Sequence, residues 1–314
     1  MDALCDRPKV VAIGGPTATG KTALSVALAQ KFHGEVINAD SMQIYRGLSI
    51  GTAKPPPEER QGVPHHLFDF LPPEQPYSVA DYVAAAARQI EQITARGNLP
   101  LLTGGTGLYI TSLLRGVKFG AVQADPDLRS RLQREAQTLG AQALHERLRA
   151  VDPAYADQVH PNNVTRVVRA LELYELTGQT KEVQRQASCP ETPPYRALCL
   201  CLTCRDRSLL YQRIDRRVDQ MLADGLLEEA ELVWRNRERY CTAAQAIGYK
   251  EFFPYFEQTQ TLAECAARLK QATRRYAKRQ LTWFRHQSDA VWLYVEDADL
   301  LERACGLIRN FLEE

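Results

Sequence analysis

Along the first hundred residues, short continuous apolar runs alternate with stretches whose apolar positions recur at helical spacing. That alternation is the pattern of strands and helices taking turns around a parallel sheet. Val10–Gly15 reads as a buried strand, and Lys21–Phe32 follows it with strong helix formers and apolar residues on one side. Glu35–Ala39 is a second short strand, ending at Asp40. The prolines at 55–57 and the run PHHLFDFLPP predict an irregular surface loop. A helix then starts at Ser78 with Asp81 three residues on, carries Val79, Val83, Ala86, Ile90 and Ile93 on one stripe, and stops at Gly97. Leu99–Thr103 reads as a third strand, running into the glycine-rich turn GGTGLY.

From about Asp125 to Ser188 the strand signals stop. Leu128, Leu132, Ala136 and Leu139 form one helical stripe, and Val164, Val167, Val168 and Leu171 another. A strand-like run returns at Ala197–Leu202, before a final series of helices. The expected architecture is therefore an α/β core with a parallel sheet, formed by residues 1–120 and 190–314 and interrupted by a mostly helical insertion at 121–189. The length of 314 residues suits two such units.

With 45% hydrophobic and 25% charged residues the chain is neither disordered nor fibrous. No apolar run approaches the roughly 20 residues of a membrane span, and the start MDALCDRPKVVAIGG lacks the pattern of a signal peptide, so a cytoplasmic protein without a membrane partner is expected. Lys and Arg number 39 against 38 Asp and Glu, so a polyanionic partner would have to meet a local patch. The eight cysteines are expected to be reduced. Cys199, Cys201 and Cys204 cluster, but within an apolar strand and without a second ligand pair, which favours buried small hydrophobes over zinc.

Chemistry enters at Gly15-Pro16-Thr17-Ala18-Thr19-Gly20-Lys21-Thr22, which fits G-x-x-x-x-G-K-[ST] between an apolar strand and a helix. Its backbone N–H groups and the helix N-terminus can wrap a pyrophosphate, Lys21 adds a point charge, and the Thr22 hydroxyl can hold Mg²⁺. The loop does not say which pyrophosphate it holds, and ATP or GTP would be the default. Ligands of such sheets lie beyond the carboxyl ends of the strands, so Asp40 and the turn Gly104-Gly105-Thr106-Gly107 should converge with the loop on one cleft. By position alone, Asp40 could be a helix N-cap, a group in the metal's outer shell or a base. Residues 266–288 hold Arg268, Lys270, Arg274, Arg275, Lys278, Arg279 and Arg285 with no acid among them. With the apolar stripe Leu262, Ala266, Leu269, Thr273 and Tyr276, they predict an amphipathic helix whose basic face is either solvated or binds nucleic acid.

The chain resembles the tRNA dimethylallyltransferase family, also called tRNA isopentenyltransferases or IPP transferases, in its bacterial form. The resemblance rests on GPTATGKT (15–22), NADSMQIYRGLSIGTAKP (38–55), PHHLFDF (64–70), YSVADY (77–82), GGTGLY (104–109), HPNNVTRVVRALE (160–172), RIDRRVDQM (213–221), QAIGYKEF (245–252) and KRQLTWFR (278–285), in order over nearly the whole chain. Thr19 stands where serine is common, Thr165 where glutamine or arginine is, and Lys250 where arginine is.

The resemblance implies a P-loop NTPase-like core whose loop binds dimethylallyl diphosphate rather than a nucleotide, with Mg²⁺. The acceptor it implies is the exocyclic N6 amine of the adenine immediately 3′ of the anticodon, in the tRNA anticodon stem-loop. By the same resemblance Asp40 is the general base, Lys21 and Arg217 stabilise the leaving diphosphate, and Thr106 positions the reacting groups. Asp40, Ser41, Met42, Gln43 and Thr106 are implied to touch the flipped base. Further tRNA contacts are implied at Thr165, Arg166, Val167, Val168 and Arg169 of the insertion, at Gln245, Ala246, Ile247, Gly248, Tyr249 and Lys250, and at Lys278, Arg279, Gln280, Leu281, Thr282, Trp283, Phe284 and Arg285. A monomer is expected. A P-loop kinase of nucleotides or small molecules shares the loop and is the first alternative; a non-catalytic RNA-binding protein is the second.

Overall fold

The computed structural model describes residues 7–119, 125–287 and 289–314. Cys5, Ser288 and the segment boundary expected at 120–121 lie outside the described residues.

Among the described residues one parallel sheet has the order β3-β2-β4-β1-β5-β6, formed by β1 (Lys9–Gly14), β2 (Gly34–Asn38), β3 (His65–His66), β4 (Leu99–Thr103), β5 (Arg196–Thr203) and β6 (Ala290–Tyr294). The central strands β2, β4 and β1 are buried on both faces because helices cover both. On one side Val11, Ile13, Val36, Leu101, Leu200 and Leu202 pack against α1 (Lys21–Phe32) and the last helix, Leu300–Glu313. On the other, Ala12, Ile37, Leu102 and Cys201 pack against α3 (Val79–Ala95) and α4 (Gly107–Leu114); α2 is the single turn Pro57–Arg60. Alternation along β5 thus sends Leu198, Leu200 and Leu202 to one face and Cys199 and Cys201 to the other. No cluster of three or more metal-ligating side chains occurs among the described residues.

Two expectations about the sheet are corrected. The proline-rich segment is not wholly irregular, because His65 and His66 pair in parallel with Val36 and Ile37 at the sheet edge. The C-terminal region is not helical throughout: Ala290–Tyr294 adds β6 beside β5.

The chain divides by its internal contacts into two units, one comprising the residues up to Leu114 and from Pro194 onward, the other Arg115–Pro193. The second unit contains α5 (Pro126–Leu139), α6 (Ala141–Val151), α7 (Pro153–Ala156), α8 (Val164–Thr177) and α9 (Lys181–Ser188). Leu132, Ala136, Leu144, Leu148, Val167, Val168 and Leu171 form its core. Leu139, expected on the buried stripe, is 63% exposed because it lies in the last turn of α5, beyond the packed face. The buried carboxylate of Glu172 organises this unit, accepting from Arg129, from Arg169 and from the backbone N–H of Asp125.

The first unit continues after β5 with α10 (Arg207–Ala223), α11 (Leu226–Arg235), the short α12 (Phe253–Phe256), the 24-residue α13 (Leu262–Arg285) and, after β6, α14 (Leu300–Glu313). A capping box of Thr261 and Glu264 starts α13. Its buried stripe is Cys265, Leu269, Ala277, Gln280 and Phe284, so Leu262, expected on that stripe, is instead exposed in the first turn. No helix among the described residues is long and apolar enough to cross a membrane.

Candidate active site

The order of the strands reverses around β1 and β4, and a cleft of about 980 Å³ opens at their carboxyl ends. The loop Gly15–Thr22 forms its floor. Gly15 has φ +132°, and a Cβ there would lie 2.5 Å from the Leu202 carbonyl oxygen, so only glycine fits. The Thr19 hydroxyl donates to the Pro16 carbonyl at 2.8 Å, which folds the loop back on itself. Gly20, with φ +80°, caps α1 without a side-chain bond, leaving the amides of the first turn open toward the cleft.

Lys21 Nζ donates to the Pro16 carbonyl at 2.7 Å. Burial, and then the neighbouring Arg217 guanidinium, lower its pKa to about 8, partly offset by Asp40. Burial likewise lowers the pKa of Arg217, whose charge is supported by Asp40 and Glu59. Arg217 therefore belongs to the cleft wall and is not a solvated surface charge.

Asp40 follows β2 and is half-buried. Its Oδ1 accepts the Met42 N–H at 2.9 Å and its own N–H donates to Asn38 Oδ1, so it closes a turn; no helix follows, which removes the helix N-cap reading. Oδ2 has no hydrogen bond among the described residues and is left for a ligand. The turn after β4 docks beside it: Thr106 N–H donates to the Ala39 carbonyl at 3.0 Å, and Thr106 Oγ1 accepts from the Ser41 N–H at 3.1 Å. Gly104 packs so closely on Ala39 that a Cβ would come within 2.2 Å of its carbonyl carbon. Gln43 is also fixed, its amide nitrogen donating to the carbonyls of Thr52 at 3.1 Å and Ala53 at 2.9 Å.

Residues 17–22, Asp40, Ser41, Met42, Gln43, Arg217, Gln245, Ala246, Ile247, Gly248, Lys250 and Arg279 thus share one cleft. Several other residues implied to touch RNA have buried side chains. Tyr249 is 0% exposed, its hydroxyl bonded to Glu229; Phe284 lies in the core under Gly14; Val167 and Val168 fill the helical unit; and Gln280 is 5% exposed with both ends of its amide bonded. Leu281 and Trp283 are half-buried, Trp283 donating to Thr111. Arg169 is paired with Glu172, whereas Thr165 and Arg166 are exposed. The basic face of α13 is also smaller than its sequence. Arg274 pairs with Asp215 and Lys270 with Asp219, both at 2.6 Å, and Arg268 donates to Gln260. Arg275, Lys278, Arg279 and Arg285 remain exposed and without an ion pair among the described residues.

Two site-forming residues escaped the sequence reading. Tyr276, placed on the apolar stripe, lies beside Asp40, Thr106 and Gln280, and burial followed by the Asp40 charge pushes its hydroxyl well above the usual range. Glu229 of α11 accepts the backbone N–H groups of Ser49, Ile50 and Gly51 at 2.7, 3.0 and 2.8 Å and so holds one wall of the cleft. Its only sequence signal was an acid in the first turn of a helix, which dipole complementarity explains equally well.

Residues 43–287 match the IPP transferase family, and residues 8–69 match isopentenyl transferase. The tRNA dimethylallyltransferase of Halalkalibacterium halodurans is 47% identical over 307 residues, spanning 98% of this chain and 97% of that protein. Its counterpart in Geobacillus kaustophilus is 49% identical over 290 residues, spanning 92% and 91%. Among solved structures, the full-length tRNA isopentenylpyrophosphate transferase of Bacillus halodurans matches with a TM-score of 0.74 at 45% identity, covering 98% of this chain and 97% of that one. A eukaryotic dimethylallyltransferase acting on tRNA gives 0.83 at 32%, covering 97% and 79%. A phosphate loop facing a carboxylate across a shared cleft is thus found in a chain that matches these transferases along nearly its full length, and the protein belongs to the IPP transferase family.

Proposed function

We propose that the protein transfers a dimethylallyl group from dimethylallyl diphosphate to the N6 amine of the adenine immediately 3′ of the anticodon in tRNA, releasing diphosphate. The observation that carries this reading is the placement of the open Asp40 carboxylate in the same cleft as the phosphate loop, Lys21 and Arg217. In the reaction a bond forms between N6 and the allylic carbon, the bond from that carbon to the diphosphate oxygen breaks, and the amine loses one proton.

Asp40 Oδ2 takes the proton, a role worth on the order of 10²–10⁴ in rate. The departing diphosphate gathers negative charge, which the open amides of α1, Lys21 and Arg217 meet at fixed positions. Thr106 orders the segment after Asp40 through Ser41. The donor set around the loop offers the Thr22 hydroxyl, which would hold Mg²⁺, and no cluster of three carboxylate, His or Cys side chains among the described residues. When bound there, Mg²⁺ would neutralise part of the diphosphate charge.

The RNA is held by Lys278, Arg279 and Arg285 with Arg275 on α13, by Gln245 and Lys250 at the cleft, and by Thr165 and Arg166 of the helical unit. The reading is of a monomer that works in the cytoplasm. Mass analysis of tRNA nucleosides after incubation with dimethylallyl diphosphate and Mg²⁺ tests the reading: an adenosine heavier by one dimethylallyl group is expected. ATP consumption without that product would instead favour the kinase.

A further inference from the structure

Gln280 lies on the buried face of α13, and its side-chain amide is used at both ends. Oε1 accepts the Thr17 N–H at 3.0 Å, and Nε2 donates to the Gly105 carbonyl at 3.0 Å. Thr17 belongs to the phosphate loop after β1 and Gly105 to the turn after β4, so one side chain spans the phosphate loop and the turn that docks beside Asp40.

The surrounding packing is built for this contact. A Cβ on Gly105 would lie 2.1 Å from Gln280 Nε2, one on Gly107 would lie 2.1 Å from Trp283, and one on Gly14 would lie 2.5 Å from Phe284. Three positions without side chains thus let a single helix face settle directly on the loops. One turn earlier, Tyr276 sits beside Thr106 and Asp40. The polarity of the contact is specific, because it needs one acceptor and one donor at the spacing of a primary amide. By holding the Thr17 N–H from behind, Gln280 sets how the following amides of the loop face the cleft.

We propose that Gln280 is a positioning residue, whose amide ties the diphosphate cradle to the Gly105–Thr106 turn and so sets the separation between leaving group and base. The inference rests on the prenyl-transfer reading above. It also gives α13 a second task, since the helix that presents Lys278 and Arg279 outward holds the catalytic loops with its inner face.

The test uses the full chain with tRNA and dimethylallyl diphosphate. Gln280→Met fills similar volume and removes both hydrogen bonds. Its single-turnover rate at saturating substrates should fall about 10²-fold, the cost of a misplacement of roughly 1 Å, with the tRNA Kd changed less than about twofold. Gln280→Glu can reproduce both bonds only when its carboxyl is protonated, so its rate relative to wild type should rise as pH is lowered from about 9 to about 6. A wild-type rate in Gln280→Met, or a rate loss matched by an equal weakening of tRNA binding, overturns the proposal. Should Gln280→Met melt too early to assay, the glutamate variant decides alone, a pH-independent ratio overturning it. A wild-type protein that forms no prenylated adenosine would sink the activity itself and not the staple.

Discussion

Thr106 accepts the backbone N–H of Ser41 on its hydroxyl oxygen at 3.1 Å, and this bond holds the turn after β4 against the residue that follows Asp40. The free oxygen of Asp40 is therefore set by two strands at once, its own β2 through Asn38 and its neighbour β4 through Thr106. A carboxylate so fixed suits proton abstraction, because its position does not depend on the ligand.

Asp40→Asn separates that role from the turn the residue also makes. Asparagine retains an oxygen for the Met42 N–H and cannot take a proton, so turnover should drop roughly 10²- to 10⁴-fold while melting temperature and tRNA affinity hold. Single-turnover rates beside thermal melts check it. A near wild-type rate would reduce Asp40 to its hydrogen bond with Met42.

Lys21 should make diphosphate binding depend on pH. Its pKa of about 8 in the free protein means that the ammonium form, which binding favours, is full below pH 8 and lost above it. Affinity for inorganic diphosphate should accordingly weaken above about pH 8 by up to about tenfold per pH unit, beyond any slope seen in Lys21→Ala. Calorimetric titrations of both proteins across that range measure the difference. Lys21→Ala should also lower turnover by on the order of 10².

Arg275, Lys278 and Arg279 are three of the exposed charges of α13 that ion pairs leave available. Replacing all three by alanine should weaken tRNA binding and lower its log–log salt slope by up to about three units, while pairs such as Arg274 with Asp215 contribute little to that slope. Binding isotherms at several salt concentrations give the slope. An unchanged value would make this face a solvated one.

Glu35, at the opposite end of β2 from Asp40, governs stability rather than reaction. Its buried carboxylate accepts two hydrogen bonds from Arg96, one from Asn98 and a contact with His66, and the Arg96 bonds lead in lowering its pKa from 4.5 to about 2. A lowered carboxylate pKa stabilises the folded chain above pH 4.5, and that stabilisation is lost as pH falls toward 2. Glu35→Gln should cost on the order of 2–3 kcal/mol at pH 7, and the gap should close in acid. Urea unfolding at pH 7 and pH 3 measures it; a gap independent of pH would refute the linkage.

What the sequence by itself determined is local. The phosphate loop was legible because its chemistry needs contiguous residues, with glycine at two of its positive-φ positions, Gly15 and Gly20, and a helix beginning at Lys21. The start of α3 was legible because Ser78 and Asp81 satisfy each other's backbone within one turn. The run around Ala290–Tyr294 also carries a strand pattern, six apolar residues between Asp289 and Glu296, although it sits among terminal helices. Tertiary structure alone decided the rest. His65–His66 became a strand because β2 offered an open edge, not through any pattern of its own. Gln280 lies 263 positions from Thr17 and 175 from Gly105, and Glu229 some 180 from the loop it holds. A polar side chain on a helix reads as solvent-facing unless its distant partners are known. Such bonds leave no trace in periodicity, because the donor and acceptor meet only after the sheet has brought the ends of β1, β2 and β4 together beneath α13.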